Sequence, residues 1–230
     1  MNLSFYQRPD FPGAGITWTG TGSTGTSGTH SCPAGTNSAT LGTSVNGHVP
    51  ARFAAAQSAK ADTTIDAYIT VPMYRLGVMF KASAAVPDNV GSPFLNPQVL
   101  AMSNFAALGI NFSTAGMQAW VLSSFVGYKT NTHPAAVGSW HAAMVYYDDV
   151  NFFSRLDNGI WVSKPVVDGF NGQPLNTINL QFGATTYSAS NFSGDTMEGF
   201  CSKVLTADPQ AQFDDWYSYL KSKYPAAALP

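Results

Sequence analysis

The chemistry available to this chain is limited first by its carboxylates, since thirteen acidic side chains include a single glutamate, Glu198. Retaining glycoside hydrolysis needs two carboxyl groups about 5 Å apart. The acid nearest to Glu198 is Asp195, three residues earlier, and in a regular strand an odd spacing places two side chains on opposite faces. No catalytic acid pair is expected. The four histidines, His30, His48, His133 and His141, are scattered without metal-ligand spacing, and Cys32 and Cys201 form no CxxC or Cys/His pattern. The two thiols are read as free and buried, with a disulfide between them as the alternative. Gly20-Thr21-Gly22-Ser23-Thr24-Gly25 has the spacing of a dinucleotide-binding loop, but it sits in a Gly/Thr run and opens no helix. Asp148, Asp149 and Asn151 could offer oxygens to calcium, as could Asp157 and Asn158, although Asp and Asn at such places also form turns. Tyr187 and Phe170 are candidate aromatics for stacking on a sugar. These residues point to binding or structure, with no catalytic residue assigned.

The elements that must position them are short strands. Met73–Lys81 alternates, with Tyr74, Leu76, Val78 and Phe80 on one face. Segments 105–112, 117–125, 140–147, 151–156, 159–162 and 178–182 read the same way, and Asp157-Asn158-Gly159 supplies left-handed residues for a tight turn between two of them. Trp140 and Phe182 are expected in the core, and His141 on the exposed face of its strand. The pattern predicts an all-β antiparallel sandwich or barrel. One helix is predicted at 209–224. Asp208 caps it, Pro209 suits its first turn, and Phe213, Trp216, Tyr217, Leu220 and Tyr224 form one stripe that packs on the sandwich. Asp214 and Asp215 early, with Lys221 and Lys223 late, follow the helix dipole. Residues 1–50 read as a Gly/Thr/Ser-rich arm plus the first strands, and 51–230 as one domain.

Only 10% of the 230 residues are charged, and the formal net charge is −2. Neither a nucleic acid nor a membrane surface is an expected partner. So uncharged a surface suggests burial against other chains. The first residues lack the basic and apolar regions of a signal peptide, so synthesis in cytoplasm is expected.

Gly138-Ser139-Trp140-His141-Ala142-Ala143-Met144-Val145-Tyr146-Tyr147-Asp148, followed by Arg155-Leu156-Asp157-Asn158-Gly159-Ile160-Trp161-Val162, resembles the Trp-initiated strand and hairpin of the concanavalin A-like and laminin-G-like family of the bacterial and phage type. Ile178–Gly183, Phe192–Phe200 and the stretch from Leu205 through Trp216 to Tyr224 are similar to its later strands and tail. The resemblance implies a jelly roll with a C-terminal helix. It departs from the family at Cys201 and in the N-terminal arm. Laminarinase-type members carry Glu-x-Asp-x-(x)-Glu on one strand, which this chain lacks. The resulting expectation is a non-catalytic virion structural protein, made in host cytoplasm, which is a phage capsid decoration or head/tail-fibre component. It would contact other virion proteins and further copies of itself, and possible surface glycans. The alternative is a carbohydrate-binding module or lectin. No cofactor is expected, calcium aside.

Overall fold

The computed structural model describes residues 5–7, 17–19, 29–31, 39–54, 61–65, 74–88, 97–103, 108–123, 127–148, 150–166, 178–183, 192–203 and 208–230. Cys32, Asp149, Phe170 and Tyr187 lie outside them. The fold is an antiparallel jelly-roll sandwich of two sheets with one C-terminal helix. In the first sheet the strand order is β14 (Val162–Pro165), β13 (Asn151–Leu156), β12 (Trp140–Tyr147), β7 (Tyr74–Ala82), β16 (Gly194–Lys203), β5 (Ala51–Phe53) and β4 (Thr40–Leu41). The second half of β16 also pairs with β1 (Phe5–Gln7). In the second sheet the order is β11 (Gly127–His133), β10 (Gly116–Ser123), β9 (Leu108–Ser113), β8 (Gln98–Ser103), β15 (Ile178–Phe182), β6 (Ala61–Ile65), β3 (Thr29–Ser31) and β2 (Thr17–Thr19). The strands found within residues 1–50 thus join both sheets.

Period-two patterning explains the space between the sheets. Leu76, Val78 and Phe80 of β7 meet Ile110 and Phe112 of β9, Val145 and Tyr147 of β12, and Phe182 of β15 in one buried cluster. Phe80 contacts the rings of Phe112 and Phe192 edge-on, at 6.1 and 6.3 Å. A second apolar cluster lies on the outer face of the first sheet. There Met79, Trp140, Met144, Met197 and Phe200 are covered by Phe213, Trp216, Tyr217, Leu220 and Tyr224. Trp140 therefore belongs beneath the helix and Phe182 between the sheets. Because the helix makes the outer face of this sheet apolar as well, β12 is buried along its whole length.

That helix, α1 (Pro209–Lys223), starts where Asp208 Oδ1 accepts the Gln210 N–H at 2.9 Å and ends with Tyr224 as its cap. Lys221 and Lys223 lie in its last turn, but its first turn holds no acidic residue. Asp214 and Asp215 come a turn too late to meet the exposed N–H groups, and Asp214 instead pairs with Arg155 at 2.7 Å. Among the described residues no helix is long and apolar enough to cross a membrane.

Two local devices refine the sheets. Gly77 and Gly109 stand across the ladder from Phe200 and Trp120, whose rings occupy the space a Cβ would fill, at 2.3 and 2.6 Å. The absent side chain lets each ring lie on the neighbouring backbone. The margins of the two sheets are also tied together: Asn131 Nδ2 donates to the Val162 carbonyl at 3.1 Å, and Lys164 Nζ donates to the Thr130 carbonyl.

Candidate functional site

A cavity of about 460 Å³ opens at the end of the first sheet where β7 finishes and β12 begins. One wall is the segment between β4 and β5. Gly42 donates to the Pro50 carbonyl, and Val45 and His48 exchange both backbone bonds at 2.8 and 3.0 Å. Asn46 and Gly47, with φ of 50° and 83°, close this small hairpin, as the Asn-Gly pair favours in two-residue turns. The opposite wall is Gly138-Ser139-Trp140, placed by the Gly138 N–H donating to the Ala82 carbonyl at 2.8 Å. The third is a 3₁₀ turn over Pro225–Ala227 followed by Ala228 in a left-handed conformation. Asn46 Oδ1 accepts the Ala226 N–H at 3.0 Å and so fastens the hairpin tip to this turn. His48 packs edge-on against Tyr224, with 5.5 Å between ring centroids.

The lining is polar and almost uncharged. Thr43, Ser44, Asn46 and Ser139 are exposed at its rim. Lys81 reaches across the Trp140 ring, its Nζ 5.6 Å from the centroid, an arrangement that attracts the ammonium to the ring face. Trp140 itself is 6% exposed, so it forms a floor and offers no open face for stacking. Across the ladder from Lys81 is Asp195, whose two carboxylate oxygens accept from Arg52 Nε and Nη2 at 2.8 and 3.1 Å.

The carboxylates considered for hydrolysis are placed by an irregularity that the sequence does not announce. The register of β16 against β7 shifts between Thr196 and Gly199, a bulge that inserts one residue and re-aims those beside it. Glu198 consequently joins Asp195 on the outer face, and the expectation of opposite faces is corrected. Each has its own structural partners: Asp195 holds Arg52, while Glu198 Oε1 accepts from Lys223 Nζ at 2.8 Å, from Tyr219 at 3.3 Å and from Tyr224. Glu198 is fully buried and anchors the end of α1.

For calcium, Asp148 Oδ1 accepts the N–H groups of Val150 and Asn151 at 3.0 and 2.7 Å, closing the turn between β12 and β13. Asp157 is likewise committed to its neighbours. Among the described residues no three His, Cys, Asp or Glu come together where a metal ion could sit. Asp157 is the single left-handed residue of its turn, with φ of 49°, so neither Asn158 nor Gly159 takes that role. Strand β14 begins at Val162, later than the segment 159–162, because Ile160 forms the exposed tip.

His141 is buried, contrary to the expected surface position, on the face of β12 that looks toward Phe80. Its Nδ1 lies 2.6 Å from Asp157 Oδ2 and its Nε2 3.1 Å from the Ala136 carbonyl. Both ring nitrogens meet acceptors, which favours the imidazolium. Burial pushes its pKa down, but the Asp157 hydrogen bond, the carboxylate charge and the Ala136 carbonyl outweigh burial and leave it raised. His133, bonded to Ser154 Oγ at 2.8 Å, is lowered by burial, with the more distant Asp157 charge opposing. The two histidines therefore link stability to pH with opposite signs. The raised His141 contributes stability that is complete below its unfolded value of about 6.5 and lost as pH rises through its folded value. The lowered His133 contributes stability present above about 6.5 and lost as pH falls through its folded value. Urea unfolding across pH should show the advantage of wild type over His141→Gln shrinking as pH rises. Its advantage over His133→Gln should shrink as pH falls. Differences independent of pH would contradict both assignments.

No known protein family's sequence profile matches the chain, and no curated protein matches it. Solved structures do share its fold. The botulinum neurotoxin serotype G binding domain superimposes with a TM-score of 0.64 at 7% identity, covering 96% of this chain and 52% of that one. Domain 4 of AbnA, a GH43 extracellular arabinanase from Geobacillus stearothermophilus solved in complex with arabinotriose, gives 0.54 at 14% identity, covering 88% and 92%. The binding domain of Paraclostridial Mosquitocidal Protein 1 gives 0.54 at 6%, covering 83% and 48%. The chain spans about half the length of the neurotoxin and mosquitocidal-protein binding domains it matches. The likeness is one of fold, that of an antiparallel β-sandwich.

Proposed function

We propose that this chain is a non-catalytic saccharide-recognition sandwich that holds its ligand in the cavity between the 42–50 hairpin, the start of β12 and the C-terminal turn. The observation that carries this reading is the cavity itself. Its 460 Å³ falls within the range of about 300–1,000 Å³ typical of small-ligand sites, and its rim offers hydroxyl and amide groups to a hydroxylated ligand. The fold shared with an arabinanase domain solved with arabinotriose and with toxin binding domains supports a recognition role. The resemblance of residues 138–224 to concanavalin A-like domains agrees with it.

The test is a glycan array followed by titration of the best ligand into wild type and into Ser139→Trp, which fills the cavity from an exposed position. Affinity should fall at least about tenfold, equivalent to about 1.4 kcal/mol, with the thermal midpoint retained. An array without saturable binding, or binding indifferent to the substitution, would sink the reading.

A second reading, in which the sandwich is displayed on a phage particle as a decoration or fibre component, draws on the low charge content and on exposed Leu41, Val137, Val150 and Ile160. Such apolar residues on a weakly charged surface suit contact with further copies or other virion proteins. Light scattering of the full chain should then report a multimer, and a monomer at high concentration speaks against it.

A further inference from the structure

We propose that the cavity selects saccharides bearing an anionic group and that the Lys81 ammonium reads that charge, an inference that rests on the saccharide-recognition reading above. Among the described residues Lys81 is the single charged side chain in the lining. The carboxylate across the ladder, Asp195, has both oxygens held by Arg52, so its charge is already answered by a guanidinium. Trp140 positions the ammonium without cancelling it, since a ring quadrupole attracts a cation but carries no net charge. Lys81 is half-buried, and only the head of such a side chain needs to meet solvent or ligand.

The neutral groups reinforce the same preference. Asn46 Oδ1 is occupied by the Ala226 N–H, and Thr43 Oγ1 accepts from Arg52 Nη2 at 3.3 Å. With one lone pair of each of these oxygens taken, Asn46 keeps its Nδ2 hydrogens and Thr43 its hydroxyl hydrogen, beside the three hydrogens of Lys81. On Lys81, Asn46 and Thr43 the donor hydrogens thus outnumber the remaining acceptor sites. A carboxylate or a sulfate ester accepts without donating, and so complements this set better than a neutral hydroxyl does.

Isothermal titration of the full chain separates the possibilities. The probes are trigalacturonate against galactotriose, 3′-sialyllactose against lactose, and a sulfated galactotriose, each at low and high salt. At least one charged probe should bind about tenfold tighter than its neutral counterpart, with the advantage shrinking at high salt. Tighter binding of the carboxylated or of the sulfated probe tells which anion is preferred. Lys81→Met should reduce the charged probe to the affinity of the neutral one, and Lys81→Arg should retain the preference. Equal binding of charged and neutral probes, or a preference that survives Lys81→Met, overturns the proposal while leaving saccharide recognition standing. Should Lys81→Met not fold, the salt response of wild type and the Arg variant still decide, since a preference insensitive to salt overturns it. Absence of binding by every probe and by the array removes both.

Discussion

Replacing Asp157 by alanine is expected to lower unfolding stability by about 4 kcal/mol, because three functions of one residue are lost together. Asp157 follows β13, and its N–H donates to the Ala142 carbonyl at 2.8 Å in the normal antiparallel manner. Its left-handed backbone then turns its own carbonyl away, toward Arg155 Nε at 3.2 Å. Side-chain Oδ1 takes the vacated place and accepts the Ala142 N–H at 2.8 Å, while Oδ2 meets His141. Alanine would leave the buried N–H without its acceptor at about 1–3 kcal/mol. It would strand His141 beside a missing carboxylate. It would also remove the local hydrogen bonding by which an aspartate side chain offsets the left-handed conformation, whose strain for a residue with a Cβ is about 1–2 kcal/mol. Asp157→Gly removes only the last of these costs and should recover roughly that amount. Asp157→Asn keeps Oδ1 and the tolerance for this conformation, and should fall between wild type and Gly while lowering the His141 pKa. Denaturant unfolding of the three variants provides the comparison. An Ala variant within about 1 kcal/mol of wild type would show that the carboxylate is dispensable to the ladder.

Phe213→Ala should cost about 3–5 kcal/mol, the range for truncating a buried aromatic. The Phe213 ring is fully buried, stacked on Tyr217 at 5.8 Å, edge-on to Trp161 at 5.6 Å and beneath the Arg155 guanidinium at 4.9 Å. These neighbours come from α1 and from the hairpin of β13 and β14, so the ring is where the helix is riveted to the sheet. Arg155 would still reach Asp214, but that pair is largely exposed on the acidic side and contributes little. Hydrogen exchange should therefore show the α1 amides losing protection far more than those of β7 and β12, since an element held by one face opens as a unit. Exposed Ser218→Ala on the same helix should stay within about 0.5 kcal/mol of wild type. Uniform loss of protection across both sheets would mean that the helix and sandwich unfold as one.

How much of this was legible can be traced to particular residues. Strands 140–147, 151–156 and 178–182 fall where alternation places them, because alternating side chains bounded by turn formers leave little freedom of register. The helix follows from Asp208-Pro209 and its aromatic stripe. What misled was the number of apolar faces: reading Trp140 as facing the gap between sheets turned His141 outward, whereas α1 gives Trp140 a second core and leaves His141 inside. The bulge at Met197-Glu198 carries no sequence signal, since a strand gains one residue without changing its composition. The cavity was invisible for another reason. Its walls come from residues 42–50, 138–140 and 226–228, which no local spacing connects. Asn46-Gly47 is the one local signal that could have found the first wall, and it was missed because it lies within a Gly/Thr/Ser-rich stretch.

The ties between β11 and β14 bear on how the sheet margins of a sandwich this poor in charge are covered. Proteins commonly protect sheet margins with lysines and other charged side chains, which repel an arriving strand. Here a side-chain amide and an ammonium occupy main-chain carbonyls at one margin, removing acceptors that a foreign strand would need. At the other margin the outermost described strands, β4 and β2, are two and three residues long, too brief a template to seed continued addition. Edge-to-edge strand addition is opposed by occupied acceptors on one side and by brevity on the other.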